Sequence, residues 1–261
     1  MQLEICVDSV ESAVAAQQGG AQRVELCSAL SEGGLTPSAG LLREVRARIG
    51  IGVHVMIRPR GGDFLYSDDE FNIMCDDIAF AAQCEAHGVV FGLLTVDGDV
   101  DVARTRTLVE LAQNAPRPME VTFHRAIDMT RNPLAALEDV IQTGADRVLT
   151  SGAEPTAMQG SRSIRQMMET ANRRIKVMVG GGVRPGNVQE IATRTQAVEF
   201  HAAMRTAVDS PVTFRNRKLK LGDPGSDEYA RSIVLAADVR ALREAIHAAN
   251  LAARKPAPTP A

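Results

Sequence analysis

The sequence predicts an α/β protein built as a single closed (β/α)8 barrel. Eight short segments rich in β-branched and apolar residues recur along the chain, and helical segments separate them. A length of 261 residues suits one such barrel. The turn after the first strand, Asp8-Ser9-Val10-Glu11, also lacks the Gly-x-Gly-x-x-Gly pattern that is typical of an open doubly wound sheet.

The predicted strands are short and follow one another along the whole chain. They comprise Leu3–Asp8, Arg23–Ser28, Gly52–Pro59, Gly88–Leu94, Met119–Ala126, Arg147–Gly152, Lys176–Val183 and Ala197–Met204. The helical segments between them include Ser9–Gln18, Asp68–Ala86, Pro133–Thr143, Asn187–Thr195 and a long final helix, Tyr229–Ala253. Sequence signals support these helices, since the first follows Asp8 and ends before Gly19-Gly20.

Other segments depart from this alternation. A long loop, 58–67, follows the third strand, and a polar insertion, 207–227, separates the eighth strand from the final helix. Loops that follow strands lie on the catalytic face of such a barrel. We expect one barrel domain over residues 1–254 and a disordered Pro/Ala-rich tail over residues 255–261.

The composition argues against several classes of protein. Lys and Arg total 29 against 32 Asp and Glu, and the net charge of -3 does not favour nucleic acid or an anionic membrane. Only 3% of residues are aromatic, so base-stacking platforms are not expected. The apolar stretches are strand-length and the N-terminus has no secretory pattern. We therefore expect a cytoplasmic protein without a membrane span, whose cysteines are thiols, packing groups or metal ligands.

Polar residues occupy alternate positions of several predicted strands. Alternate residues of a strand share one face, and polar groups buried against the helices would lack water. We therefore expect them in the barrel lumen and at its mouth. They are Glu4, Cys6 and Asp8; Glu25 and Cys27; His54, Met56 and Arg58; Glu120, Thr122 and His124; Glu199 and His201. The set is interpreted either as a converging functional site or as a self-neutralising network of ion pairs.

Cys6 and Cys27 are the candidate metal ligands. They lie near the carboxyl ends of adjacent parallel strands, which run about 4.8 Å apart, so their sulfur atoms are expected to approach. Thiolates with a nearby Met or His suit a soft ion such as Cu(I), and Met56 on the next strand is a candidate third ligand. The alternative is that both cysteines are small buried packing residues.

A second group of residues favours an anionic ligand. Glycines 180–182 end the seventh strand, and loops after strands seven and eight of these barrels often bind phosphate through backbone N–H groups. Ser151 follows the sixth strand and adds hydroxyl and backbone donors. The arginines predicted near the same rim are Arg58, Arg60, Arg125 and Arg184.

Several sequence strings together resemble the CutC family of copper homeostasis proteins. They are Val24-Glu25-Leu26-Cys27-Ser28, Arg58-Pro59-Arg60-Gly61-Gly62-Asp63-Phe64, Phe123-His124-Arg125-Ala126, Leu149-Thr150-Ser151-Gly152 and Gly180-Gly181-Gly182-Val183. The resemblance covers residues 2–250 and implies a cytoplasmic TIM barrel, a homodimer, and copper binding attributed to cysteines. Cys6 and Cys27 are the residues here that match this role.

Two functional hypotheses follow. The first is copper homeostasis through Cu(I) binding at Cys6 and Cys27. The second is an enzyme that acts on a small anionic substrate, phosphorylated or carboxylate, at the carboxyl-terminal rim. Its candidate catalytic residues are Glu25, His124 and Asp128. Its candidate ligand-binding residues are Arg58, Arg60, Asp63, Arg125, Ser151, Gly181 and Gly182. Glu25 or His124 would need a pKa near neutrality to act as general acid or base.

Overall fold

The computed structural model describes residues 1–219, 221 and 227–253. Eight parallel strands close into a barrel in chain order, which confirms the predicted architecture. The strands are β1 Gln2–Val7, β2 Arg23–Leu26, β3 Gly52–Met56, β4 Gly88–Phe91, β5 Glu120–Phe123, β6 Arg147–Thr150, β7 Lys176–Val179 and β8 Glu199–Ala202. β1 pairs with both β2 and β8, and this pairing closes the sheet.

Eight helices surround the barrel. They are α1 Val10–Gln18, α2 Ala39–Arg48, α3 Asp68–Gln83, α4 Val102–Gln113, α5 Pro133–Thr143, α6 Ser161–Ala171, α7 Val188–Thr195 and α8 Ala236–Ala253. Local sequence explains several starts. Ser67 and Glu70 form a reciprocal capping box at the start of α3, and Asn132 caps α5, which begins with Pro133. Among the described helices, none combines the length and apolar character needed to cross a bilayer.

The predicted start of the final helix is wrong. Residues 229–234 do not begin a helix, because Ala230–Val234 forms β10, which pairs antiparallel with β9, Arg205–Asp209. The backbone N–H of Val234 donates to Ser12 Oγ on α1, and the Val234 side chain is buried. This long-range pairing outweighs the local helical pattern. α8 then begins at Ala236.

The structure tests only some of the predictions for segments outside the repeating strands and helices. Between β3 and α3 the chain forms neither strand nor helix, as predicted for the loop 58–67. The predicted insertion 207–227 begins inside β9, and residues 220 and 222–226 of it lie outside the described residues. The predicted disordered tail, 255–261, also lies outside them.

Alternate strand residues face opposite layers, as the polar pattern predicts. Large apolar side chains such as Phe91, Phe123 and Phe200 are fully buried between the strands and the helices. The residues of the other parity, among them Glu4, Cys6, Glu25, His54 and Arg147, converge through contacts within the lumen. The lumen is therefore polar, whereas ordinary barrels fill it with branched apolar side chains.

An ion-pair layer fills the end of the lumen where the strands begin. Its members are Glu4, Arg23, Glu120, Arg147 and Glu199. Arg147 Nε lies 2.6 Å from Glu199, and its Nη2 lies 3.1 Å from Glu120. Arg23 donates to Glu4 and lies 3.5 Å from Glu199. Because each charge here has an opposite partner, the ion-pair interpretation applies to this end of the lumen.

Candidate functional site

The carboxyl ends of the strands open into a cavity of about 680 Å³. This volume is in the range of small-molecule binding sites. Most of the residues predicted for the site line it, namely Cys6, Glu25, Arg58, Asp63, His124, Arg125, Asp128, Gly181 and Gly182. The others, Cys27, Arg60 and Ser151, lie behind this surface in contact with lining residues.

A floor cluster of Cys6, Glu25, Cys27, Met56 and His201 forms the base of the cavity. The sulfur atoms of Cys6 and Cys27 lie 3.8 Å apart. Both cysteines and Met56 belong to one buried apolar cluster that is separate from the main core. Cys27 is fully buried, whereas Cys6 lines the cavity. The expected approach of the two sulfurs is therefore observed.

Charge surrounds the Cys6 sulfur. A hydrogen bond from the Cys27 thiol, assisted by His201, lowers the pKa of Cys6 to about 5. Burial disfavours a charged His201, but Glu25, Cys6 and Glu4 hold the pKa of this imidazole well above its usual range. Burial raises the pKa of Glu25, and the negative charges of Cys6 and Glu4 raise it further. The floor cluster thus stabilises a thiolate next to an imidazolium.

His124 is a neutral hydrogen-bond donor. Burial, together with the positive charge of Arg58, lowers the pKa of His124 to about 3. Its Nδ1 atom accepts a hydrogen bond of 3.1 Å from the Ala126 N–H, so the neutral ring carries its proton on Nε2. This Nε2 atom is buried and has no partner among the described residues. The near-neutral pKa expected for a general base is not found, because burial and Arg58 act in the same direction.

Arg58 is a buried guanidinium that contacts backbone carbonyl groups. Its Nη1 donates to Glu32 O at 2.6 Å and to Gly34 O at 3.2 Å, and its Nη2 donates to Gly62 O at 2.8 Å. Its Nε atom is buried and unpaired in the described part of the chain. The guanidinium also lies 5.0 Å from the centre of the Phe64 ring. These partners carry no negative charge, so they support the loop after β3, and no carboxylate pairs with Arg58 among the described residues.

Arg60 and Asp63 bind each other rather than facing the cavity together. Arg60 Nε lies 2.6 Å from Glu70 at the start of α3, and Arg60 Nη2 lies 3.0 Å from Asp63. A further bond joins Arg60 to Leu65 O. Arg60 is therefore occupied in shaping the loop 58–67, although Asp63 itself lines the cavity.

Arg125, Asp128 and Ser151 form a closed hydrogen-bonded group. Arg125 donates to Asp128 at 2.8 Å and to Ser151 Oγ at 2.6 Å. Asp128 also accepts from Thr150 Oγ1 at 2.5 Å and from the backbone N–H groups of Ser151 and Ala153 at 2.9 and 3.0 Å. This saturation favours a role for Asp128 in joining the loops after β5 and β6 over a role in proton transfer.

Sequence reasoning did not select His201 or Arg205 as site residues. His201 Nδ1 lies 2.7 Å from Glu4, and its Nε2 lies 3.8 Å from Glu25, so it joins the ion-pair layer to the floor cluster. The sequence did offer one signal for His201, because it lies two residues after Glu199 in the eighth strand and therefore faces the same side of the sheet. Arg205 lines the cavity from the first position of β9, and the missed pairing of β9 with β10 concealed it.

The closed barrel, with a polar lumen and a cavity at the carboxyl ends of its strands, makes this chain a TIM-barrel protein. The chain belongs to the CutC family, whose sequence model matches residues 1–206. A protein of Chromobacterium violaceum named as family protein CutC is 52% identical over 244 residues, which cover 94% of this chain and 97% of that relative.

A second relative and a solved structure also support membership of the CutC family. The human copper homeostasis protein cutC homolog is 48% identical over 241 residues, covering 92% of this chain and 87% of the relative. A crystal structure of CutC from Streptococcus agalactiae superposes with a TM-score of 0.72 at 33% identity, covering 77% of this chain and 97% of that one. The family resemblance identified from the sequence strings is thereby confirmed.

Proposed function

We propose that this chain takes part in copper homeostasis by binding Cu(I) at Cys6 and Cys27. The observation that carries the proposal is the pair of sulfur atoms 3.8 Å apart at the cavity floor. Met56 lies in the same cluster, so all three sulfur-bearing side chains near this point are soft donors. Soft sulfur ligands favour Cu(I) over harder ions such as Mg²⁺ or Ca²⁺.

The sulfur separation suits one shared ion. Two metal–sulfur bonds of about 2.3 Å span up to about 4.6 Å, so an ion can contact both sulfurs at the observed separation. A disulfide is less favourable, because Cys6 is aligned with Glu25 and not with Cys27. Cys27 lies on the neighbouring strand, two residues beyond the position opposite Cys6, and this offset separates the two Cα atoms by about 8 Å. Disulfides seldom bridge Cα atoms more than about 7 Å apart.

The state and position of Cys6 also support ion binding. The thiolate is the form that binds metal, and the lowered pKa of Cys6 makes the thiolate its main form at pH 7. Cys6 lines the cavity, which gives an ion a route to the floor cluster from outside the barrel. A carboxylate oxygen of Glu25 lies within 4.8 Å of both sulfurs and is a candidate for a further ligand, as are Met56 and His201 beside the pair.

The test is an anaerobic titration of the reduced protein with Cu(I) in competition with a chelator of known affinity. The wild type is expected to bind one ion tightly, and Cys6→Ser and Cys27→Ser should each lower the Cu(I) affinity by at least about a hundredfold. Cys75→Ser/Cys84→Ser is the matched control, since these half-exposed thiols lie on and just after α3, away from the floor cluster. Equal loss in the control variant would contradict the proposal.

A cytoplasmic location and a homodimer belong to the same proposal. A reducing compartment keeps Cys6 and Cys27 as thiols, which the proposed site requires. Light scattering after size exclusion measures the mass against the 28.0 kDa of one chain. We expect about twice that mass; a monomer at micromolar concentration would contradict the dimer but leave the copper site unaffected.

A second candidate function is catalysis on a small anionic substrate in the same cavity. The observation that favours it is a group of buried polar atoms without partners in the described chain, Glu25 Oε1, Arg58 Nε and His124 Nε2, all on cavity-lining residues. Buried polar groups are rarely left unpaired without a ligand or water. Incubation with a mixture of phosphorylated metabolites, followed by mass spectrometry, tests it. Turnover that Glu25→Gln abolishes would support this function.

A further inference from the structure

The rim of the cavity has a group of unused donors between the end of β7 and the start of β9. We infer that Gly181, Gly182, Arg184 and Arg205 form a phosphate-binding site, which holds the phosphate group of a small metabolite inside the cavity. The inference deepens the second candidate function by naming the substrate class, and it does not depend on copper binding. All four residues line the cavity.

The backbone at Gly181 and Gly182 provides the first donors. Both residues have left-handed φ values, 95° and 75°, which glycine adopts readily. Neither backbone N–H has an acceptor among the described residues. A Cβ atom at Gly181 would lie 2.9 Å from Ser151 Cβ, so this turn requires glycine. Successive free N–H groups in such a turn form a concave anion-binding surface.

Arg184 and Arg205 provide positive charge next to these N–H groups. Both side chains are exposed, and Arg184 Nη1 donates only to a backbone carbonyl, that of Val183, at 2.8 Å. Neither guanidinium is ion-paired with a carboxylate in the described ranges. Two unpaired guanidinium groups beside free N–H groups offer many donors. They match a phosphate, which has several acceptor oxygens, better than a ligand with a single acceptor atom.

The fold holds Arg205 at the rim. Its backbone pairs with buried Val234 in the β9–β10 sheet. The preceding residue, Met204, is buried and has a φ of 34°, a conformation that residues other than glycine rarely adopt. This turn redirects the chain from β8 into β9 and places Arg205 over the cavity. Strain of this kind persists where the surrounding structure imposes it, often at functional sites.

The charge balance of the cavity also favours an anion. Four carboxylates line the cavity. Asp63 is paired with Arg60, Asp128 with Arg125 and Glu25 with His201, and only Glu32 has no ion-pair partner among the described residues. Against this one carboxylate stand Arg58, Arg184 and Arg205, none of which is ion-paired in the described ranges. Arg58 is buried, with hydrogen bonds to carbonyl groups and the Phe64 ring 5.0 Å away. Buried charges in proteins are normally compensated, and an anionic ligand would supply this compensation.

The deeper part of the cavity indicates that more than a bare phosphate is bound. Arg58 and His124 line it, are each about 95% buried, and present unpaired Nε and Nε2 donors. Oxygen atoms on the body of a phosphorylated metabolite would satisfy both donors. A volume of about 680 Å³ accommodates a compound of this kind.

The test measures binding without any assay of catalysis. Reduced, copper-free protein is titrated with inorganic phosphate and with ribose 5-phosphate by calorimetry. The wild type is expected to bind both, and ribose without phosphate is expected not to bind. Arg184→Gln and Arg205→Gln should each weaken phosphate binding by about tenfold, since each removes a charged hydrogen-bond donor. The exposed Arg48, at the end of α2 and paired with Glu44, gives the control Arg48→Gln, which should change nothing.

Further variants separate this site from the others. Cys27→Ser changes a fully buried residue that does not line the cavity, and it should bind phosphate like the wild type, so failure of the copper proposal leaves this result unaffected. His124→Phe should weaken ribose 5-phosphate binding by several-fold and leave inorganic phosphate unchanged. Two results would overturn the inference. The wild type and Arg184→Gln/Arg205→Gln would bind phosphate with equal affinity, or the wild type would not bind phosphate. Phosphate binding without turnover would support the site and count against the catalytic function.

Discussion

The ion-pair layer and the floor cluster lie in the same lumen and both contain buried charges, but their charges are satisfied differently. In the ion-pair layer, Arg147 contacts Glu120 and Glu199 directly, so the charges neutralise one another. In the floor cluster and the cavity wall, Glu25 Oε1 and His124 Nε2 have no partner among the described residues. Paired charges stabilise the barrel, whereas unpaired groups are available to a ligand. The two interpretations of the polar strand residues thus apply to different ends of the lumen.

The largest expected effect comes from breaking the ion-pair layer. Arg147→Met leaves Glu199 without its 2.6 Å partner and weakens the pairing of Glu120. Removing one member of a buried ion pair typically costs about 3 to 5 kcal/mol. Urea unfolding should show this loss, and adding Glu199→Gln should recover part of it.

The control for this change is an exposed ion pair. Arg165→Met removes the pair with Glu169 on α6, and exposed pairs contribute less than about 1 kcal/mol. If Arg147→Met and Arg165→Met destabilise the protein equally, the ion-pair layer has no special structural role.

The next effect is a pH dependence caused by His124. Its folded-state pKa of about 3 lies below the ordinary value of about 6.5, so the unfolded chain takes up a proton first as the pH falls. The contribution of neutral His124 to the free energy of unfolding is therefore full above about pH 6.5. It is lost as the pH falls below this value, at up to about 1.4 kcal/mol per pH unit. Urea unfolding at pH 7 and pH 5 should show a smaller loss for His124→Phe.

Ionisation of Cys6 gives a spectroscopic effect. Its pKa of about 5 is far below that of a free thiol, about 8.5, so thiolate absorbance should appear as the pH rises through 5. The stability that this thiolate contributes is full above about pH 8.5 and declines as the pH falls toward 5. Cys6→Ser should remove the absorbance change near pH 5. Burial and Asp76 raise the pKa of Cys75, so this thiol should ionise only in alkaline solution. If Cys75→Ser also removed the absorbance change near pH 5, the assignment of that change to Cys6 would be wrong.

The smallest expected effect is at Met56. Met56→Leu preserves volume and apolar character, so the unfolding free energy should change by less than about 1.5 kcal/mol. Cu(I) affinity should fall by about tenfold if the thioether is a third ligand. Competition titration and urea unfolding on the same variant separate the two effects. Unchanged Cu(I) affinity would limit the site to the two thiolates.

Periodicity predicted the barrel and the lumen, but it did not predict how individual charges are satisfied. Alternation placed Glu4, Cys6 and Glu25 in the lumen because a strand has only two faces. It missed β10, since that strand depends on pairing with β9, far away in the chain. Arg58 was expected to bind an anion, but its backbone partners depend on loop conformations that no local pattern specifies.

The pairing of Arg125 was more accessible to sequence reasoning. Asp128 follows Arg125 by three residues, a spacing at which side chains meet in a helical turn, and the structure has a short 3-10 helix there, Arg125–Met129. By contrast, Arg60 pairs with Glu70 across the capped start of α3, a contact that depends on the fold of the loop. Local spacing therefore predicts some ion pairs, and tertiary structure decides the rest.

The most direct test of the copper site is the X-ray absorption spectrum of the reduced protein loaded with one equivalent of Cu(I). We expect at least two sulfur atoms bound to copper in the wild type, from Cys6 and Cys27, and the loss of one of them in Cys27→Ser. A copper ion bound only by nitrogen or oxygen, or a sulfur coordination that Cys27→Ser leaves unchanged, would contradict it.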